Sequence, residues 1–260
     1  MTHAIKPANL HEVRWQTALF LRHNAAPEWQ LYLDRGIEYL LPDEVIDKSN
    51  RERAAFLARA EYERVASAEL YYIGDEVTDV VTGSGPLAGG FHALTPDMVP
   101  SPTGLMLWSR DVSASTSGVP VIACSWERQE TGVWTAWWTD AVATAESFVN
   151  SGQFTQETAR NYLGLRGVLN YERERILPYG FGIRVGDAKE GPAATTTVEA
   201  LTETTITTWA LIASPNQRVT VTDIPPERHV KKRLQREGLA FGPVHHVTGF
   251  PPEPKPPTTG

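Results

Sequence analysis

The chain has 260 residues, 41% of them apolar, with 24 lysines and arginines against 31 aspartates and glutamates. That is enough apolar surface for a real core. The net charge of −7 argues against wholesale wrapping of nucleic acid, whose phosphate backbone rewards clustered cations. The single cysteine, Cys124, excludes an intramolecular disulfide and a cysteine-rich zinc site, and its apolar run reads as a buried, inert thiol.

The opening MTHAIKPANLHEV lacks a long apolar signal core. No later stretch approaches the roughly 20 apolar residues of a membrane span. No membrane role and a cytoplasmic location are therefore expected. Leu10, Val13, Thr17, Phe20 and Leu21 recur near the helical period and predict a first helix that stops around His23–Ala26. Pro27 suits the first turn of a second helix, whose apolar set is Trp29, Leu33, Ile37 and Leu40. Ser49 with Glu52 is a capping box opening a third helix that carries Leu57, Ala60, Val65, Ala68 and Tyr71.

From Ile73 to Pro102 the texture changes. Gly83, Gly85, Gly89 and Gly90 break any long element, leaving Val77–Val81 as a short strand. An antiparallel meander follows: strands at Gly104–Trp108, Val119–Trp126 and Val133–Thr139, with a loop at Ser113–Gly118 and a turn at Gln129–Gly132. Apolar spacing through Tyr162, Leu165, Leu169 and Ile176 then predicts one helix from about Thr155 to Leu177, ended by Pro178. Gly186–Pro192 reads as a turn or linker, and Val198–Ala213 as a helix with Leu201, Trp209 and Ile212 inward. The C-terminal part reads strand–helix–strand, Val219–Thr222, Pro226–Glu237 and Val244–Thr248, a small crossover unit added to the same sheet.

The expected fold class is α+β, with N-terminal helices packed on a mainly antiparallel sheet and the strand–helix–strand unit at the C-terminal end. One domain is expected over residues 1–249, helical in 1–72 and sheet-containing in 73–249. The Pro-rich residues 250–260 are expected to be a disordered tail.

Two features suggest recognition. Residues Val119–Asp140 hold four of the eight tryptophans, Trp126, Trp134, Trp137 and Trp138, and alternation puts Trp134 and Trp138 on one face of their strand with Trp137 on the other. Exposed, such rings stack on bases, sugars or a protein partner; buried, they stabilise a sheet with no ligand. The second feature is the C-terminal helix, where Arg228, Lys232 and Arg236, four residues apart, line one edge while Val230 and Leu234 mark the inner face. That edge suits phosphate or an acidic partner, or is merely solvated. The partner-binding candidates are accordingly Trp134, Trp137, Trp138, Arg228, Lys232 and Arg236.

Catalytic signatures are absent from the sequence. The glycine-rich segment lacks a GK[ST] ending and G-x-G-x-x-G spacing, and Ser84 between two glycines is not G-x-S-x-G. His245 and His246 are adjacent on a predicted strand, point to opposite faces and do not share a metal ion. Glu172 and Glu174 alternate with Arg173 and Arg175, which on a helix makes a solvated face. Glu127, Glu130 and Asp140 flank the tryptophan hairpin and are the acid–base candidates by position. No catalytic residue, metal or cofactor is assigned.

Val99–Leu105, VPSPTGL, and Trp209–Val221, WALIASPNQRVTV, with the basic helix behind the latter, resemble uncharacterised accessory proteins of high-GC actinobacteria and their phages or plasmids. The resemblance implies an intracellular accessory role and no particular chemistry. The functional expectation is a protein that binds and regulates a macromolecular partner, protein in preference to nucleic acid. The alternative is a hydrolase or transferase acting on a nucleotide or nucleic acid through a pocket beside Trp134 and Trp138.

Overall fold

The computed structural model describes residues 5–82, 90–114, 118–185, 197–213 and 219–249. In chain order its elements are α1 (Leu10–His23), α2 (Ala25–Asp34), α3 (Asp43–Ile46), α4 (Asn50–Ser67), β1 (Glu69–Ile73), α5 (Asp75–Thr82), β2 (Gly90–Ala93), β3 (Thr103–Trp108), β4 (Ser113–Ala114), β5 (Pro120–Arg128), β6 (Gly132–Asp140), α6 (Ala141–Asn150), α7 (Gln156–Arg166), β7 (Leu169–Pro178), β8 (Gly182–Val185), α8 (Thr197–Ile212), β9 (Thr220–Ile224), α9 (Arg228–Arg236) and β10 (Val244–Thr248). Of the expected glycine-rich connection at Gly83–Gly90, Gly90 opens β2 and residues 83–89 lie outside the described residues, as do the turn or linker at 186–192 and the tail at 250–260.

The fold is α+β. The main sheet runs β7-β6-β5-β3-β1-β10-β9, with β4 paired to β5, while β2 and β8 form a separate pair. Pairing is antiparallel except where β1 lies parallel to β3 and to β10. Helices cover both faces. On one face, Leu70, Leu105, Leu107, Ala123, Trp138 and Val244 meet Leu10, Phe20, Trp29, Leu57, Val65 and Leu234 from α1, α2, α4 and α9. On the other, Ile73, Met106, Trp108, Cys124, Trp126 and Trp137 meet Val77 of α5 and Leu201, Ile206 and Trp209 of α8. Two-sided cover explains why β6 is buried along its whole length: a central strand with apolar side chains on both faces needs a layer on each.

Local chemistry accounts for the elements that form as expected. Ser49 accepts from the Glu52 amide and the Glu52 carboxylate accepts from the Ser49 amide at 3.1 Å, closing the capping box of α4. Gly104 faces Trp126 so closely that an added Cβ would fall inside the indole; the bare backbone lets the ring lie flat on β3.

Other expectations are corrected. Val77–Val81 is helical, within α5: Asp75 and Glu76 occupy its first turn, where the helix dipole favours anions, and the Thr78 amide donates to Gly74 O at 2.9 Å. The predicted helix from Thr155 to Leu177 is instead α7 followed by strand β7. Gly167, at φ 73°, ends the helix in a conformation other residues avoid. The supposed inner stripe dissolves with it, since Leu165 and Ile176 are exposed. Ile37 and Leu40 lie beyond the end of α2 and are exposed as well. Strands β9 and β10 pair antiparallel, Val244 opposite Ile224 and Thr248 opposite Thr220, so α9 sits in the connection of an antiparallel pair and not in a crossover.

Candidate functional site

The tryptophans of the hairpin are interior. Trp137 and Trp138 are 0% exposed and Trp134 6%. Each indole N–H is satisfied inside the protein: Trp134 donates to Glu61 Oε1 at 3.1 Å, Trp137 to Thr205 Oγ1 at 3.0 Å and Trp138 to Ser125 Oγ at 2.9 Å. The expected alternation holds, with Trp138 packed on the α1–α4 side and Trp137 on the α8 side. The correction concerns availability: α4 and α8 cover the two faces, so these rings offer no stacking platform to a partner of the folded chain.

Of the acid–base candidates beside the hairpin, Glu130 is exposed and the other two are engaged elsewhere. Asp140 is nearly buried and caps α6, its carboxylate accepting from the Val142 amide at 2.7 Å and the Ala143 amide at 3.2 Å. Glu127 lies 3.7 Å from Arg64, whose guanidinium stacks on Trp134 at 4.5 Å and pairs with Glu61 at 3.2 Å. Glu61 is 0% exposed; burial pushes its carboxyl pKa up, with Arg64 and the Trp134 indole pulling the other way. Glu174 is corrected too. On strand β7 it is half-buried and accepts from the Leu40 amide at 2.7 Å and the Tyr171 hydroxyl at 2.7 Å, and burial raises its pKa. Cys124 is buried as expected, which raises the thiol pKa.

The basic edge of α9 stands out in solvent. Arg228, Lys231, Lys232 and Arg236 are exposed, and no carboxylate pairs with any of them among the described residues. The helix is held by its other side: Leu234 is 0% exposed, and Arg233 pairs with Glu12 and stacks on Trp15 at 4.3 Å. The structure thus brings Arg228, Lys232 and Arg236 onto one edge, as the spacing requires, and separates them from the tryptophans.

Sequence reasoning missed a groove beside that helix. Its cavity of about 630 Å³ lies between the C-terminal turn of α4 and the segment after α9, over Tyr62, Ala66, Leu239 and Phe241. Its floor is pinned from two sides: the Ala240 amide donates to Ala66 O at 2.8 Å, and the buried Arg14 donates to Ala68 O at 2.9 Å and to Ala240 O. Desolvation lowers the Arg14 pKa to about 10, and the same burial with Arg14 alongside lowers His11 to about 4. No short motif announces this groove, because its walls come from opposite ends of the chain.

A second, polar groove of about 490 Å³ opens on the α8 side of the sheet. Strand register sets Tyr71, His245 and Asp223 in one row across β1, β10 and β9. His245 Nδ1 lies 2.7 Å from Asp223 Oδ1 and its Nε2 lies 3.6 Å from Glu69 Oε2, while the Tyr71 hydroxyl donates to Glu69 at 3.0 Å. Arg128 lines the same groove. His246 points away, against Tyr72, as expected of adjacent strand residues. Among the described residues no group of three His, Cys, Asp or Glu side chains is placed to hold a metal ion, and no helix is long and apolar enough to cross a membrane.

Comparisons with protein-family models, with curated proteins and with solved structures returned no match.

Proposed function

We propose that this chain is an accessory protein that acts by binding and regulating a macromolecular partner through the exposed basic edge of α9, a protein partner in preference to nucleic acid. The carrying observation is that Arg228, Lys231, Lys232 and Arg236 project together with no carboxylate paired to them among the described residues, on a chain whose net charge is −7. An unneutralised cationic stripe on an acidic protein steers encounter with an acidic surface. A basic stripe along a helix also suits nucleic acid, but the net negative charge of the whole chain is unlike the strongly basic domains that bind it, which favours a protein partner.

The test is affinity capture of the tagged chain from an actinobacterial lysate, with and without nuclease, alongside the double reversal Lys232→Glu with Arg236→Glu. A stoichiometric protein that survives nuclease, is released by salt and is lost on reversal supports the reading. Capture that ignores both salt and reversal overturns the role of α9, and capture abolished by nuclease moves the partner to nucleic acid.

The rival reading, a hydrolase or transferase acting on a nucleotide or nucleic acid, draws support from the polar groove and not from the hairpin. An imidazole oriented by Asp223 at 2.7 Å, with its other nitrogen toward Glu69, is the arrangement used for general acid–base work. The carboxylates of Glu69, Asp97 and Asp223 beside it disfavour a polyanion there. A hydrolytic screen against nucleotide and ester substrates, repeated on His245→Gln, separates the readings: turnover lost in the variant supports an enzyme, and no turnover sets that reading aside.

A further inference from the structure

The groove between α4 and α9 adds what a cationic edge lacks, an apolar seat. From its position in sequence, at about 100° per residue, Lys231 and Gln235 lie on the flank of α9 between the buried Leu234 and the outer row of Arg228, Lys232 and Arg236. Gln235 lines the groove and the Lys231 ammonium sits 4.9 Å from the Phe241 ring centre, so the groove and the basic row are continuous around one helix. Beyond the opposite wall, outside the lining, Arg22 lies 5.9 Å from the Tyr62 ring centre, and Arg59 is exposed one turn before Glu63. Phe241 is 38% exposed, an aromatic ring left standing at the mouth of an otherwise buried floor formed by Ala66 and Leu239.

Resting on the reading that α9 binds a partner, we infer that this groove docks an acidic protein segment carrying an aromatic or aliphatic anchor. The anchor seats over Ala66 and Leu239 against Phe241. Flanking aspartates and glutamates meet Lys231 and the Arg228–Lys232 row on one side and Arg22 and Arg59 on the other. Charge selects the occupant from just outside the seat: Lys231 and Arg22 lie against the Phe241 and Tyr62 rings, while Glu63 is the one charged residue in the lining itself. The apolar seat then selects a peptide over a nucleic acid, which brings phosphates and no aliphatic side chain. Because the floor is fixed by Arg14 and by the Ala240–Ala66 hydrogen bond, the seat exists before binding and little ordering is asked of the protein. An acidic amphipathic helix laid in a groove is a known mode of recognition.

The experiment is selection of a random peptide library against the full chain, followed by affinity measurement of the winners on Phe241→Ala, Lys231→Glu and the double reversal Lys232→Glu with Arg236→Glu. Poly-glutamate and a single-stranded oligonucleotide serve as charge controls. Phe241 and Lys231 are surface positions, and an unchanged circular dichroism spectrum verifies that each variant is folded. The expected result is enrichment of sequences that combine acidic residues with a leucine or aromatic residue, weakened about tenfold or more by Phe241→Ala and also by Lys231→Glu. Equal binding of poly-glutamate or the oligonucleotide, untouched by Phe241→Ala yet lost on the double reversal, would overturn the groove and leave the α9 reading standing. Peptides that bind without acidic residues and ignore every reversal would overturn both.

Discussion

The tryptophan hairpin and the basic edge of α9 look equally like interfaces in the sequence, and the fold treats them in opposite ways. The hairpin's rings lie between two helical layers with every indole N–H of Trp126, Trp134, Trp137 and Trp138 bonded internally. The outer cations of α9, Arg228, Lys231, Lys232 and Arg236, are exposed, with no carboxylate paired to them among the described residues. Aromatic residues carry their own reason to be buried, whereas an unpaired cation gains nothing from the interior. Density of a residue type therefore marks a site only when burial is costly for that type.

The sharpest way to break this contrast is to truncate an interior ring. Trp138→Ala is expected to cost about 3–5 kcal/mol, measured by urea unfolding; a loss below about 1 kcal/mol would mean the ring is not core. Next in size is an acid limb. His11 is held down to about 4 by burial and by Arg14, against 6.5 when free. Its neutral, buried form is therefore fully compatible with folding above pH 6.5, and stability falls as pH drops from 6.5 to about 4, by about 3 kcal/mol. Glu61 and Glu174, whose pKa values burial raises, work in the opposite direction, so the measurement is the difference between the native chain and His11→Gln across that range. The variant is expected to flatten the limb, and parallel curves would remove His11 as its cause. Smaller again is Gly104→Ala, which drives a methyl into Trp126 and is expected to lower stability by about 1–3 kcal/mol, read from the shift in thermal midpoint. Smallest is the double reversal on α9, expected to move stability by no more than about 0.5 kcal/mol; a larger loss would show that the edge supports the fold instead of waiting for a partner.

What was legible in the sequence follows the same division. Val244–Thr248 is read to the residue because alternation and flanking turns agree, and the α4 start is read because its capping box is local. The α9 edge is legible because four-residue spacing needs only one helix. The break at Gly167 was hidden because Leu169 and Ile176 happen to continue the apolar spacing of Tyr162 and Leu165 across a change of element. The α4–α9 groove was beyond reach, since Ala66 meets Ala240 only after the sheet has brought β1 beside β10. The Asp223–His245 pair depends likewise on register between two strands.

Strand β9 closes the sheet on one side, pairs among the described residues only with β10, and is exposed at four of its five residues. It is also the strand from which α9 departs, so the basic helix hangs between this edge strand and its neighbour. Amide exchange should therefore be graded across the sheet, slowest along β6 and fastest along β9. A segment seated against α9 would slow exchange in β9 without touching it, making the edge strand a reporter of occupancy at the α9 surface.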